Sequence, residues 1–457
     1  MHRNTRARGA SSFSRRPTPS LKLRVESLEE RAVPANNLTI VAGSIDSNIL
    51  IGPGNGSTIT IFTRGDNAQL SIGTLQSQLQ DTNRVNLIVT TDVKNGQPGS
   101  QAGTIIWDAA TAGSLDFTGF GSGKTLTFET VAGNNATGHI TLTGVQFQNG
   151  GSGDQISLNF DTSAINGNVT FQPAGAGAGA QTVGFSAAAV KDLMVASGTG
   201  AFSYTDSGTA TPAEVAGAIS ISAASMTFDL IDGLVAGGPL SLTSAGAVTL
   251  ASGTGLIAVG DLSITAGGAV SASNDALTAD GGAVSISGTA VSLNNMAVTA
   301  PGGLTVAGTT SVTLSDGNYD MLGVVSITGG TIDLTNVVLP STGDVALTGT
   351  SISLDTSVIG AGNGLTLTGP VTVQGTVDLQ AGTNMAVTGT VDGTADLTLA
   401  AGGTLAFGQS IGAGTALTSL TLLRGTMELG THNLEATQVT IGQVFSSDEA
   451  TLVPCPN

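Results

Sequence analysis

Between residues 239 and 400 the same residue classes return every 20 to 22 positions. Short apolar-led segments begin at Leu262, Val284, Leu304, Val325, Val345 and Leu365, with steps of 22, 20, 21, 20 and 20 residues. A second register runs through Val270, Val291, Val312, Ile332, Ile352 and Val373 with steps of 21, 21, 20, 20 and 21. A third, at Leu256, Leu277 and Val298, is plain early and looser afterwards. A fixed period of this size marks a chain of stacked equivalent units, each too small to bury its apolar face alone.

The segments alternate with period two. Two residues after each first-register start stand Ile264, Ile286, Val306, Ile327, Leu347 and Leu367, and between lie Ser263, Ser285, Thr305, Ser326, Ala346 and Thr366. Successive side chains of a strand point to opposite faces, so one face is aliphatic and the other small or hydroxyl-bearing. Three such strands per period describe one coil of a right-handed parallel β-helix, an all-β solenoid with coils of about 20–22 residues. Gly267–Gly268, Gly281–Gly282, Gly302–Gly303 and Gly329–Gly330 are expected between strands, as corners. Antiparallel hairpins in a sandwich or barrel would instead favour Asn-Gly or Asp-Gly turns and would not need one coil length. At a constant coil length the chain makes about 19 coils, a rod of about 90 Å.

Composition agrees with this. Gly is abundant at 66 residues without the Pro of collagen, and aromatic residues make up only 4%. No Phe or Trp occurs between Phe228 and Phe407, as a narrow lumen of stacked aliphatics demands. The expected organisation is a flexible basic leader at 1–35, an N-terminal β-helix part at 36–171 with a short helix at 74–80, an irregular insertion or loop-rich coils at 172–218, regular repeats at 219–441, and a cap or tail at 442–457. So short a cap fits either a complete small solenoid or a piece of a longer surface protein.

Charge is divided unevenly. Up to Arg31 the balance is +5, the remainder carries −23, and no basic residue lies between Lys191 and Arg424. A nucleic-acid binder needs clustered cations on its body, so that class is excluded. The lone Cys455 rules out an intrachain disulfide and a thiolate metal cluster. No apolar run is long enough for a transmembrane helix.

The leader segment Leu23-Arg24-Val25-Glu26-Ser27-Leu28-Glu29-Glu30-Arg31-Ala32-Val33-Pro34-Ala35 looks like the sorting segment that opens many surface and secreted proteins of planctomycete-type bacteria. That resemblance implies export or surface sorting, with cleavage or anchoring near Ala35. Downstream, the short helix at Thr74–Gln80 precedes Val85–Thr90, Gly103–Trp107 and Thr125–Phe128, an order that resembles the filamentous-haemagglutinin-like family over about residues 70 to 150. Ile106-Trp107 follows the strand glycine directly, and the Gly/Ala-rich Ala174–Ala180 interrupts the pattern; both depart from that family. Its members are β-helical surface filaments and adhesins, which is what the resemblance implies for this chain.

Motifs for chemistry come close and fail. Gly119-Phe120-Gly121-Ser122-Gly123-Lys124-Thr125 imitates a phosphate loop, but its first Gly is out of place and a strand follows where a helix N-terminus is required. Gly150–Leu158 is similar to a calcium-binding nonapeptide, with its Asp154 one position early and no tandem copy. From 192 to 423 there are 16 acids and no Lys, Arg or His, and His139 and His432, each expected to face solvent, stand far apart. Polysaccharide lyases and hydrolases built on this fold need a base or clustered carboxylates.

The expectation is therefore a non-enzymatic, exported protein of the cell surface or extracellular space, adhesin-like or structural. The partners it fits are surface glycans, cell-envelope components or other surface proteins. Its alternative is a carbohydrate-processing β-helix, marked by three or more convergent carboxylates in a groove. A passive spacer or remnant of a longer surface protein is the third reading. No organic cofactor is implied. The acids at corners and strand edges (Asp261, Asp280, Asp316, Asp320, Asp344 and Asp392) serve solubility and turn capping, and calcium is the ion they fit, with Asp154, Asp280, Asp316 and Asp320 as candidate ligands.

Overall fold

The computed structural model describes residues 37–442 and 451–453, apart from 54–56, 65–66, 82, 84, 94–102, 114, 117–122, 131–137, 149–155, 163–166, 175–182, 187–189, 206–212 and 252. The leader at 1–35 and the Gly150–Asp154 part of the nonapeptide-like stretch lie outside the described residues. The rest is a parallel β-solenoid with three faces. Leu240–Ser244, Val248–Leu250 and Gly255–Ala258 form one coil, and the next starts at Leu262. Like stands over like: Leu240 pairs with Leu262, Val248 with Val270 and Leu256 with Leu277.

The aliphatic positions of all three strands point inward and are buried. The third register, which loosens in the sequence after Val298, continues without a break through Tyr319 and on to Leu339, Ile359 and Leu379. Tyr319, a buried ring in an aliphatic column, hides that continuity. Room for it comes from Gly317, where a Cβ would stand 2.4 Å from the ring. In the second register Ile352 pairs with Val371, and Val373 pairs with Leu354, so the column steps 19 residues and Val373 belongs one strand position further on.

From Val284 onward the first two strands of a coil merge into long bent strands, such as Val284–Asn294, Leu304–Ser315 and Val325–Thr335. Gly329–Gly330 thus lie inside a strand, not between strands. The bend falls on stacked Gly288, Gly308 and Gly329. A Cβ on Gly308 would come within 2.0 Å of the Ser311 carbonyl oxygen, so the bend admits only glycine.

The first-face column from Leu193 to Leu405 stacks about 11 regular turns, and the coils before it are longer, so the chain makes fewer than 19. Asn86 pairs with Thr125, 39 residues on, whereas Leu240 meets its partner after 22. Regular turns stack to about 50 Å. The longer N-terminal coils hold a core of rings: Trp107, Phe128, Phe147, Phe160, Phe171, Phe185, Phe202, Tyr204 and Phe228 are all buried. Phe171 stands at its centre, with its centroid 5.2 Å from Phe160, 5.8 Å from Phe185, and 5.4 Å from both Phe202 and Tyr204. Strands Val190–Ala196, Ala201–Thr205 and Ala213–Val215 continue the ladders across the 172–218 region.

The N-terminal edge is covered by antiparallel pairing of Ile49–Pro53 with Thr58–Thr63 and by the helix Ile72–Gln80. Ser71 caps that helix, its Oγ accepting the Thr74 N–H at 3.1 Å, and Leu75 and Leu79 are buried against the coils. Covering an edge in this way keeps other strands from adding to it. At the other end Thr451–Val453 pairs with Thr426–Glu428, and the remainder of the expected cap beyond 442 lies outside the described residues. Among the described residues no helix is long and apolar enough to cross a membrane.

Phe171→Ala is expected to lower unfolding stability by about 3–5 kcal/mol in denaturant titration, since four neighbouring rings cannot close the cavity. Tyr319→Phe should raise stability by about 1 kcal/mol in the same assay, because the buried hydroxyl has no hydrogen-bond partner and its removal leaves the ring packing intact.

Candidate functional site

The acids named from the sequence separate into distinct roles. Asp261 Oδ1 accepts the Ala283 N–H at 2.9 Å, Asp344 Oδ1 accepts Gly364 N–H at 2.9 Å, and Asp392 Oδ1 accepts Gly414 N–H at 2.7 Å. Each carboxylate thus satisfies an amide of the following coil, at a corner where the ladder bonds are interrupted. Asp280 is exposed at the corner between the third and first faces, and its backbone N–H donates to Ala258 O. Asp320 points outward from the third face, with Thr299 beneath it. Asp316 lies at a different corner, and Asp154 is outside the described residues. The structure does not bring Asp280, Asp316 and Asp320 together. Among the described residues no three His, Cys, Asp or Glu side chains gather as a ligand set.

The other candidate groups are also engaged in the scaffold. Lys124, the lysine of the phosphate-loop-like stretch, is buried, and its ammonium donates to the carbonyls of Leu79 and Asp81 at the C-terminus of the helix Ile72–Gln80. A cation there suits the negative end of the helix dipole. His139 is half-buried, and its Nδ1 accepts the Asn168 N–H at 2.9 Å from the next coil. His432 is half-buried as well.

Asp316 belongs to a ladder at the corner between the second and third faces. Asn274, Asn295, Asp316, Asn336 and Thr356 occupy equivalent places in successive coils, all with left-handed φ near 50° (55°, 50°, 53°, 52° and 47°). Asn tolerates this conformation best among residues with a side chain. Asn295 Nδ2 donates to Asn274 Oδ1 at 2.7 Å, and Asn336 Nδ2 donates to Asp316 Oδ1 at 2.8 Å. Gly255, Ala276 and Ala297 follow on the third face, and their small size opens a cleft of about 470 Å³ beside the ladder. Asn274, Asp275, Asn295, Asp316 and Asn318 supply its polar lining.

Sequence reasoning missed Asp275. It occupies the inward position after the left-handed residue, where the preceding coil has Thr254 and the following coil Met296, both buried. Thr254 Oγ1 accepts the Leu230 N–H from the coil before it, and Ser357, at the same place four coils after Asp275, accepts the Val337 N–H. A polar residue among aliphatic ones in this column is the signal that marks the position. Asp275 is 6% exposed, and burial pushes its carboxyl up from 3.8 to about 6, offset in part by the amides of Gly253, Ser273 and Thr254.

The outer surface of the first face has a different character. Ser222, Thr243, Thr265, Ser287, Ala307, Thr328, Thr348 and Thr368 form one continuous outward row, each paired with the next. A parallel row two residues earlier holds Ser220, Ser241, Ser263, Ser285, Thr305 and Ser326. Hydroxyls therefore recur at about 4.8 Å along the stack and at about 6.7 Å along each strand.

These features define a parallel β-solenoid. In comparison with known proteins, the chain matches no family profile, no curated protein and no solved structure.

The raised carboxyl of Asp275 fixes a pH dependence. Between about pH 4 and 6 the folded state holds a proton that the unfolded chain has released, so stability falls as pH rises through that window and is level above it. Asp275→Asn is expected to remove this slope and to exceed the wild type at pH 7 by on the order of 2–3 kcal/mol. Thermal melts of both proteins at pH 4, 5, 6 and 7 would show it, and parallel curves would refute it.

Proposed function

We propose that this protein is a non-enzymatic, exported component of the cell surface or extracellular space, adhesin-like or structural, and that it works by presenting a stiff, hydroxyl-rich lateral face. The observation that carries this reading is the double row of outward Ser and Thr on the first face, held in register over successive coils. Such a face offers repeating donors and acceptors to a polymer with its own repeat, and the solenoid fixes their spacing before binding, which reduces the entropic cost of recognition. Surface glycans and other envelope polymers have hydroxyl chemistry that fits.

The leader's likeness to a planctomycete-type sorting segment and the chain's likeness to filamentous-haemagglutinin-like proteins support an address outside the cell. The corner carboxylates support a scaffold role, since Asp261, Asp344 and Asp392 bond backbone amides of neighbouring coils. A carbohydrate-processing site would be marked by three or more convergent carboxylates in a groove, and the cleft beside the ladder is lined by two acids, Asp275 and Asp316, of which Asp275 is buried.

Cell fractionation together with a glycan array probed by the full chain tests this. The expected result is recovery in the envelope or medium, binding to a polymeric glycan, and at least a tenfold loss of that binding when Thr243, Thr265, Thr328 and Thr348 are changed to Lys. Cytoplasmic recovery, or cleavage of an arrayed glycan, would overturn the reading.

A further inference from the structure

The two ends of the solenoid are finished differently. At the N-terminal end the outermost strands are covered by the pairing of Ile49–Pro53 and by the helix Ile72–Gln80. At the other end the third face stops at Ala436–Ile441, which pairs with Leu417–Glu428 on its inner side and, among the described residues, with no strand on its outer side. Two inward columns stop there as well. Ile359, Leu379, Leu399 and Leu422 are each at most 2% exposed, yet Ile441 above them is 42% exposed. Val377, Leu397 and Leu420 are equally buried, and Val439, which ends their column, is 41% exposed.

One bond fixes the direction of the backbone: the Gly442 N–H donates to the Leu422 carbonyl at 2.9 Å. Successive residues of a strand turn their N–H and C=O groups to opposite sides, so Val439 and Ile441 turn theirs to the open edge. Soluble proteins guard such edges with Lys, Pro, a bulge or an inward charge. From Ala436 to Gly442 the chain reads Ala-Thr-Gln-Val-Thr-Ile-Gly, with no charge and no proline.

Two features point to a second copy of the chain as what pairs there. Antiparallel pairing about a two-fold axis at Thr440 sets Val439 of one copy against Ile441 of the other, both inward-facing and both with edge-directed backbone groups, and Thr440 against Thr440. The strand is thus complementary to itself, as an isologous contact requires. Charge acts in the same direction: the chain after Arg31 carries −23, which repels copies set side by side, whereas Ala436–Gly442 is neutral. The covered N-terminal end cannot receive this strand, so head-to-tail growth is blocked and association closes at two.

We infer that the outer edge of Ala436–Ile441 is a homodimer interface, at which two solenoids join end to end by antiparallel pairing about Thr440 and extend the third-face sheet from one copy into the other. The interface does not depend on what the first face binds.

Sedimentation equilibrium of the full chain carrying Cys455→Ser, which excludes a disulfide-linked pair, is expected to give about twice the 44.8 kDa of one chain at micromolar concentration. Ile441→Lys puts a charge on the edge at a side chain that is already exposed, so it should keep the β-sheet circular dichroism and weaken association at least a hundredfold. In the Cys455→Ser background, Thr440→Cys should form an interchain disulfide under mild oxidation, because residues directly opposite on paired strands bring their Cβ atoms within about 4.5–5.5 Å. Gln438→Cys, displaced from the axis, should not. Sedimentation as a monomer would assign the edge to covering from within the chain and overturn the interface. Dimers that survive Ile441→Lys, cross-linking at Gln438→Cys in place of Thr440→Cys, or species that grow beyond the dimer with concentration would each overturn it too.

Discussion

Backbone pairing between coils is the constraint from which the other features follow. A strand in this solenoid has no partner within its own coil, so its N–H and C=O groups are satisfied by the coils before and after it. That requirement fixes residue under residue, and every side chain acquires neighbours from the same place in adjacent coils. Aliphatic columns inside, hydroxyl rows outside, a glycine stack at the bend and an amide ladder at the left-handed corner are four results of the same registration. Each becomes favourable only when repeated, since a lone inward Val or outward Thr has nothing of its kind to meet.

Corners are where the constraint is hardest to meet, because pairing is interrupted and backbone groups must find other partners. The chain answers with short polar side chains, using carboxylates at the third-to-first corner and amides at the second-to-third corner. Part of the acidity of the body is thereby tied to construction. The cleft beside Asp316 is the place where this economy fails, since alternation of donor and acceptor stops there and a buried acid lies behind it.

Much of this was legible in the sequence because it repeats. The coil length, the inward and outward faces of the repeats, and the helix near 74–80 all follow from periodicity and local propensity. What escaped was whatever broke the period for a local reason. Tyr319 ended the visible third register because ring and aliphatic look unlike, although both fill the same column. Val373 was misplaced because a 19-residue step leaves two alternating valines, Val371 and Val373, equally plausible as the column member. Coil number was overestimated because the N-terminal loops lengthen each turn without changing its strands, and the rings that fill those wider coils announce width only once their stacking is seen. Asp275 was hidden for the opposite reason: an acid beside Asn reads as an ordinary turn, and only its inward direction makes it unusual.

The bent strands have one more consequence. Coils from Leu304 to Leu365 differ in length by at most a residue, and each presents the same junction to its neighbours above and below. Duplicating or excising one whole coil would therefore join equivalent positions and leave every column, row and ladder continuous. Length is a free variable in this architecture, open to unequal recombination between repeats, so related chains can differ in reach while the surface they display stays the same.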